Sequence, residues 1–190
     1  EVIVASNSYI ACIISIINSG LKPVLVEPDI ETYNIDVNKI DKKITKKTRV
    51  ILAVHLYGKS CEMDKILNIC RKKNLYLIED CAQSHGSKYK NKNTGLFGDF
   101  SCFSFYPTKL LGAIGDGGAI ISKKKKFKDY LKKFRNYGSI KRYKNDIIGQ
   151  NSRLDEIQAL FLDIKLKSLN RIILHKKKLA EVYFSNLNKN

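Results

Sequence analysis

Two short apolar runs, Val50-Ile51-Leu52-Ala53-Val54 and Leu75-Tyr76-Leu77-Ile78, constrain this chain more than any other feature. A strand with one wet face alternates apolar and polar residues. A run that is apolar at every position needs cover on both faces, and such strands belong to parallel sheets flanked by helices. Between the two runs, Met63, Ile66, Leu67 and Cys70 recur at helical spacing within Glu62 to Lys73. Strand, helix and second strand then read as one crossover unit, the connection that parallel neighbours require.

The same rhythm extends to both sides. Val2 to Ala5 reads as a strand, Ser8 as the cap of a helix running to about Asn18, and Pro23 to Glu27 as a second strand after the stop at Gly20. Asp36 is placed to cap a short helix through Ile44, and Thr48 to His55 encloses the first apolar run. Beyond Asp80, Gly86, Gly95 and Gly98 mark a loop-rich stretch. It is followed by strands at Phe100 to Phe105 and Gly118 to Ser122, and by a basic amphipathic helix at Lys124 to Arg135. Asn136 to Gln150 reads as a polar loop. Arg153 to Leu169 reads as a helix with Leu154, Ile157, Leu160, Phe161 and Ile164 on its apolar face, and a last helix runs from about Asn170 to the end. The pattern is that of an α/β fold, a mainly parallel sheet flanked by helices, occupying residues 1–190 as one domain. The first residues enter a strand with no lead-in, so the chain is expected to continue upstream as part of a longer protein.

Charge and cysteine usage narrow the function classes. The net charge of +17 invites a nucleic-acid face, yet the excess is mostly Lys, spread along the chain and accompanied by abundant Ile and Asn, as A/T-rich codons would produce. Neither nucleic acid nor membrane is expected as a partner: the longest apolar run, Tyr9 to Ile17, is broken by Ser15 and falls short of the roughly 20 residues that a spanning helix needs. A basic surface would still draw in anionic substrates. The five cysteines form no C-x-x-C pair and read as buried free thiols, which suits a reducing cytoplasm. His55, His85 and His175 lie far apart and lack neighbouring ligands at metal spacing, so no metal is expected.

In open α/β sheets, ligands bind beyond the carboxyl ends of the strands. Three segments fall there: Glu79 to Gln83, Ser104 to Lys109, and Gly115 to Gly118. Taken alone, Asp80 is equally well read as a turn cap or as a catalytic carboxylate, and a solitary Lys109 as a solvated surface group.

Together the segments carry more. Ser104-Phe-Tyr-Pro-Thr-Lys-Leu-Leu-Gly112 followed by Gly115-Asp-Gly-Gly-Ala119 resembles the lysine segment of the DegT/DnrJ/EryC1/StrS sugar aminotransferases. Val2 to Tyr9, Val26 to Asp29, Val54 to Gly58, Glu79 to Gly86, Phe97 to Asp99 and Asn151 to Gln158 are similar to that family in the same order, so the resemblance spans nearly the whole chain.

The resemblance implies the large domain of the aspartate-aminotransferase-like fold and pyridoxal 5′-phosphate as cofactor. By the same resemblance Lys109 would hold the cofactor as a Schiff base and carry the proton. Asp80 would pair with the ring nitrogen, Gln83 would lie near the phenolic oxygen, Tyr9 would stack on the ring and Ser104 would bond the phosphate. Asn151 would reach the phosphate of a partner subunit's cofactor, which implies a homodimer with shared active sites. His55, Tyr57 and His85 are equally well read as pocket residues or as packing. The family's small-residue phosphate loop, just before the first strand, and its C-terminal small domain are not in the chain.

The implied activity moves an amino group from an amino acid, L-glutamate by resemblance, to a keto group of a nucleotide-linked deoxysugar. The stretch Glu27 to Asp36 is closest to the branch that aminates 3-keto-6-deoxyhexoses on dTDP. The alternatives are a non-catalytic or regulatory relative, or a sugar dehydratase of the same fold, in which a His replaces the lysine.

Overall fold

The computed structural model describes residues 1–187, and the last three residues of the expected final helix lie outside them. A six-stranded sheet forms the centre, in the order β2-β1-β3-β4-β7-β8, where β1 is Val2–Ala5, β2 Pro23–Val26, β3 Val50–Val54, β4 Tyr76–Asp80, β7 Phe100–Ser104 and β8 Gly118–Ile121. The first five strands run parallel, and only β8 pairs antiparallel, with β7. A small hairpin of β5 (Lys88–Tyr89) and β6 (Lys92–Asn93) precedes β7.

The unbroken apolar runs are explained by what covers each face. The odd-numbered residues Ile3, Ala5, Ile51, Ala53 and Leu77 pack with Met63, Ile66 and Cys70 of α3 (Met63–Lys73) and with Val37 and Ile40 of α2 (Val37–Ile40). The even-numbered Val2, Val4, Leu52, Val54 and Ile78 pack with Cys12 and Ile16 of α1 (Ile10–Asn18). Complete burial of a side chain such as Ile3 or Ile51 stabilises the fold by about 1.5–3 kcal/mol. Asp36 caps α2 as expected, through the Asn38 N–H at 3.0 Å. Asn74, at φ 53°, ends α3 in the left-handed conformation that Asn tolerates.

Three local expectations are corrected. Ser8 does not cap α1: its hydroxyl donates to the Ala5 carbonyl at 2.8 Å, and Tyr9 occupies the cap position with no side-chain bond. Residues 136–150 are not simply a loop, because after α4 (Lys125–Phe134) they form a hairpin of β9 (Ser139–Lys141) and β10 (Lys144–Asn145). Its turn carries Tyr143 at φ 62°, as the β5–β6 turn carries Lys90 and Asn91 at positive φ; neither has the Asn-Gly pair that announces such turns in sequence.

The third correction concerns α5 (Glu156–Lys167), which buries Leu162 against Leu111 and Ala113 and leaves Ile157, Leu160 and Ile164 exposed. Apolar residues lie on both sides of this helix, so spacing alone did not select the side that meets this chain. α6 (Leu169–Asn186) follows and touches α5.

Candidate active site

The sheet brings two of the expected residues, Asp80 and Ser104, to one edge. Register places Val54, Asp80 and Cys102 side by side at the carboxyl ends of β3, β4 and β7, with Ser104 two residues further along β7. Because successive strand side chains alternate faces, Asp80, Cys102 and Ser104 share the face covered by α1.

Asp80 is half-buried and anchored at both oxygens. Oδ1 accepts from the Ala82 N–H at 2.9 Å, and Oδ2 accepts from the Cys12 thiol of α1 at 3.1 Å. Burial pushes the Cys12 thiol up to about 12, with the Asp80 charge acting in the same direction, so Cys12 remains a protonated donor. Tyr9 stands one turn before it, 68% exposed, its carbonyl accepting from the Cys12 N–H at 2.9 Å.

Lys109 lies on a loop fastened from several sides. Its N–H donates to the Tyr106 carbonyl at 2.8 Å, and Phe105 closes the loop by donating to Gly117 (2.8 Å) and accepting from Ala113 (2.7 Å). A Cβ on Gly112 would stand 2.4 Å from the Pro107 carbonyl oxygen, so only glycine fits there. From α5, Lys165 Nζ donates to the Gly112 carbonyl at 2.8 Å, and Gln158 Oε1 accepts from the Ile114 N–H at 3.0 Å. The loop is thus built on a helix rather than left free.

Ser104 Oγ accepts from the Tyr106 N–H at 3.3 Å, which leaves its own hydrogen available to an anionic oxygen. Gln83 Oε1 accepts from the Tyr57 N–H at 2.6 Å, leaving its NH2 as a donor. Tyr57 is exposed and sits at φ 56°, a conformation costly for a non-glycine residue that the Gln83 bond helps to hold. Asn151 is exposed; its backbone bridges to Asn136, and among the described residues no hydrogen bond ties it to Asp80, Ser104 or Lys109.

Behind the edge, on the opposite face, Glu79 acts as a hub. Fully buried, it accepts from the Gly95, Phe97 and Gly98 N–H groups at 2.6–2.8 Å, from the Ser101 hydroxyl at 3.2 Å, and from His55 Nε2 at 3.1 Å. Burial works to raise its pKa, but the His55 and backbone bonds outweigh it and hold Glu79 below its ordinary value. His55 Nδ1 accepts from the Cys61 N–H at 3.2 Å, which fixes the tautomer with Nε2 as donor to Glu79.

His55, Glu79 and Cys81 therefore converge within 4.8 Å, a cluster that their sequence positions do not suggest. Their ligand atoms are committed, however: the His55 lone pair and the Glu79 oxygens are taken by N–H and O–H donors, and burial pushes the Cys81 thiol up to about 12. The cluster reads as a hydrogen-bond brace for the 95–98 loop rather than as an ion site.

His85 is also buried, packed against Phe103 and Phe105, with ring centroids 5.7 and 6.1 Å away, and neither ring nitrogen has a hydrogen-bond partner. Burial and then the charge of Lys109 lower its pKa from the ordinary histidine value. His55 and His85 are thus interior residues, whereas Tyr57 faces solvent. Cys12 was missed in the sequence as a site residue, because its contact with Asp80 joins segments 68 residues apart.

The donor set suits a pyridoxal ring. Asp80 Oδ2 holds only a weak thiol bond and keeps capacity for a strong N–H donor, Lys109 offers an amine, Tyr9 an exposed aromatic face and Ser104 a free hydroxyl hydrogen. Among the described residues, no helix is long and apolar enough to cross a membrane.

Comparison with known proteins points the same way. Residues 1–190 match the model of the DegT/DnrJ/EryC1/StrS aminotransferase family. The chain is 52% identical over 187 residues to a dTDP-3-amino-3,6-dideoxy-alpha-D-galactopyranose transaminase of Aneurinibacillus thermoaerophilus, covering 98% of this chain and 52% of that protein. It is 40% identical to a pleiotropic regulatory protein of Geobacillus stearothermophilus, covering 96% of this chain and 49% of that one. The crystal structure of S. venezuelae DesV in complex with a ketimine intermediate superposes with a TM-score of 0.87 at 41% identity, over 90% of this chain and 46% of that one. The chain spans about half the length of the curated relatives it matches.

Proposed function

Since the chain belongs to the DegT/DnrJ/EryC1/StrS aminotransferase family, we propose that residues 1–190 are the cofactor-carrying large domain of a pyridoxal-phosphate-dependent aminotransferase. The reaction proposed is transfer of an amino group from an amino acid, L-glutamate in this reading, to a keto group on a nucleotide-linked deoxysugar. The observation that carries the proposal is the meeting of Asp80, Ser104 and the first turn of α1 on one face at the carboxyl edge of the sheet, beside the fastened Lys109 loop.

Pyridoxal phosphate, when bound, supplies an electron sink for the carbanion formed at the amino-bearing carbon. The chain's own residues supply the rest. Lys109 Nζ would hold the cofactor and, when free, would carry the proton to and from the reacting carbon. Asp80 would keep the ring nitrogen protonated through a charge-assisted hydrogen bond. Tyr9 would cover the ring face, the Gln83 NH2 would donate to the phenolic oxygen, and the Ser104 hydroxyl would donate to the phosphate. The basic surface favours the approach of a nucleotide diphosphate.

The same reading includes a homodimer in which Asn151 completes the partner's phosphate site, in accord with its exposure and its lack of a bond to the rest of the cluster. A subunit-mixing experiment tests both parts. Full-length chains carrying Lys109→Ala and Asn151→Ala, each inactive alone, form a mixed dimer in which one site carries neither change. Recovery of about half the parent activity per mixed dimer is expected. Mixed dimers that form, as seen by mass spectrometry, but recover nothing would refute the shared site. A parent protein that takes up pyridoxal phosphate but aminates no nucleotide sugar would favour a regulatory role.

A further inference from the structure

Asp80 is restrained by two bonds of different origin. The Ala82 N–H holds Oδ1 from within the turn that follows β4, and the Cys12 thiol holds Oδ2 from α1, 68 residues away in sequence. The first bond alone leaves the carboxylate free to pivot with its local turn. The second ties it to another element, and that element also presents Tyr9, whose carbonyl accepts from the Cys12 N–H. A thiol is a weak donor, so it orients a carboxylate without consuming the capacity of its oxygen. A lysine or arginine at the same place would orient Asp80 and also compete for its charge.

We infer that Cys12 is a positioning residue: its thiol sets the orientation in which Asp80 meets the cofactor ring nitrogen, and locks that orientation to the turn that carries Tyr9. The inference rests on the role proposed above for Asp80. α1 then acts as a jig, with one turn fixing the group in line with the ring nitrogen and the group over the ring face. Cys102, opposite Asp80 in register, is half-buried and its thiol is pushed up to about 11 by burial and then by Asp80, so it too stays protonated beside the carboxylate.

Cys12 also fills space, packing with Val2, Val4, Ile16, Leu52 and Val54, so the test must separate donor from volume. Full-length protein freed of cofactor is titrated with pyridoxal 5′-phosphate and followed by its visible absorption, in parent, Cys12→Ala and Cys12→Ser forms. The dissociation constant is expected to rise about tenfold in Cys12→Ala, equivalent to about 1.4 kcal/mol, and to stay within about twofold of the parent in Cys12→Ser, whose hydroxyl restores a donor. In an Asp80→Asn background, Cys12→Ala should add no further weakening, because the interaction it removes runs through Asp80.

Equal losses in the alanine and serine forms, no loss in either, or a loss that persists in the Asp80→Asn background would each overturn the inference. If the parent itself takes up no cofactor, the proposed function fails and the inference with it. If the parent binds and the variants do not separate, only the inference fails.

Discussion

Full-length protein carrying Lys109→Ala should fold and lose transamination by at least about 10⁴-fold, a barrier increase of about 5.4 kcal/mol or more. Two functions are removed at once, since one amine both holds the cofactor and moves the proton, and alanine offers neither bond nor base. The fold should survive because the loop is fastened by its backbone, through Phe105, Gly112 and the two contacts from α5, and not by the Lys109 side chain. Single-turnover amino transfer from L-glutamate, with circular dichroism as the folding control, checks this. Turnover within tenfold of the parent would remove Lys109 from the chemistry.

Asp80→Asn should be the second most damaging change, lowering turnover by about a thousandfold, or about 4 kcal/mol in the transition state. Asparagine matches aspartate in shape and can still accept from the Ala82 N–H, so the turn after β4 should be kept. What disappears is the negative charge that holds a proton on the ring nitrogen, and with it the ring's capacity to accept electrons. The loss should therefore fall on the rate of the chemical step rather than on the melting temperature. An Asp80→Asn enzyme that turns over at the parent rate would reduce Asp80 to a turn cap.

The parts of this fold written in side-chain periodicity were legible. β3 is apolar on both faces because α1 and α3 cover both, and the sequence shows this as an unbroken run. The placement of Asp80 and Ser104 was legible for a different reason: they sit at strand ends, where position along the chain maps directly onto the sheet edge. Contacts made by distant segments were not legible. Nothing near Glu79 in sequence announces that it gathers the Gly95, Phe97 and Gly98 N–H groups with His55, and nothing near Cys12 announces Asp80. The turns at Asn91 and Tyr143 escaped because their positive φ values are carried by residues other than glycine. The buried side of α5 escaped because apolar residues lie on more than one side of the helix and only tertiary packing selects Leu162.

The central claim, that Lys109 is the lysine that carries the cofactor, is tested most directly by chemical trapping. Full-length protein loaded with pyridoxal 5′-phosphate is reduced with borohydride, digested and mapped by mass spectrometry. The account predicts a single stoichiometric adduct on the peptide that contains Lys109, absent from the Lys109→Ala form. An adduct on another of the chain's lysines, or a protein that binds the cofactor with no reducible bond, would contradict it.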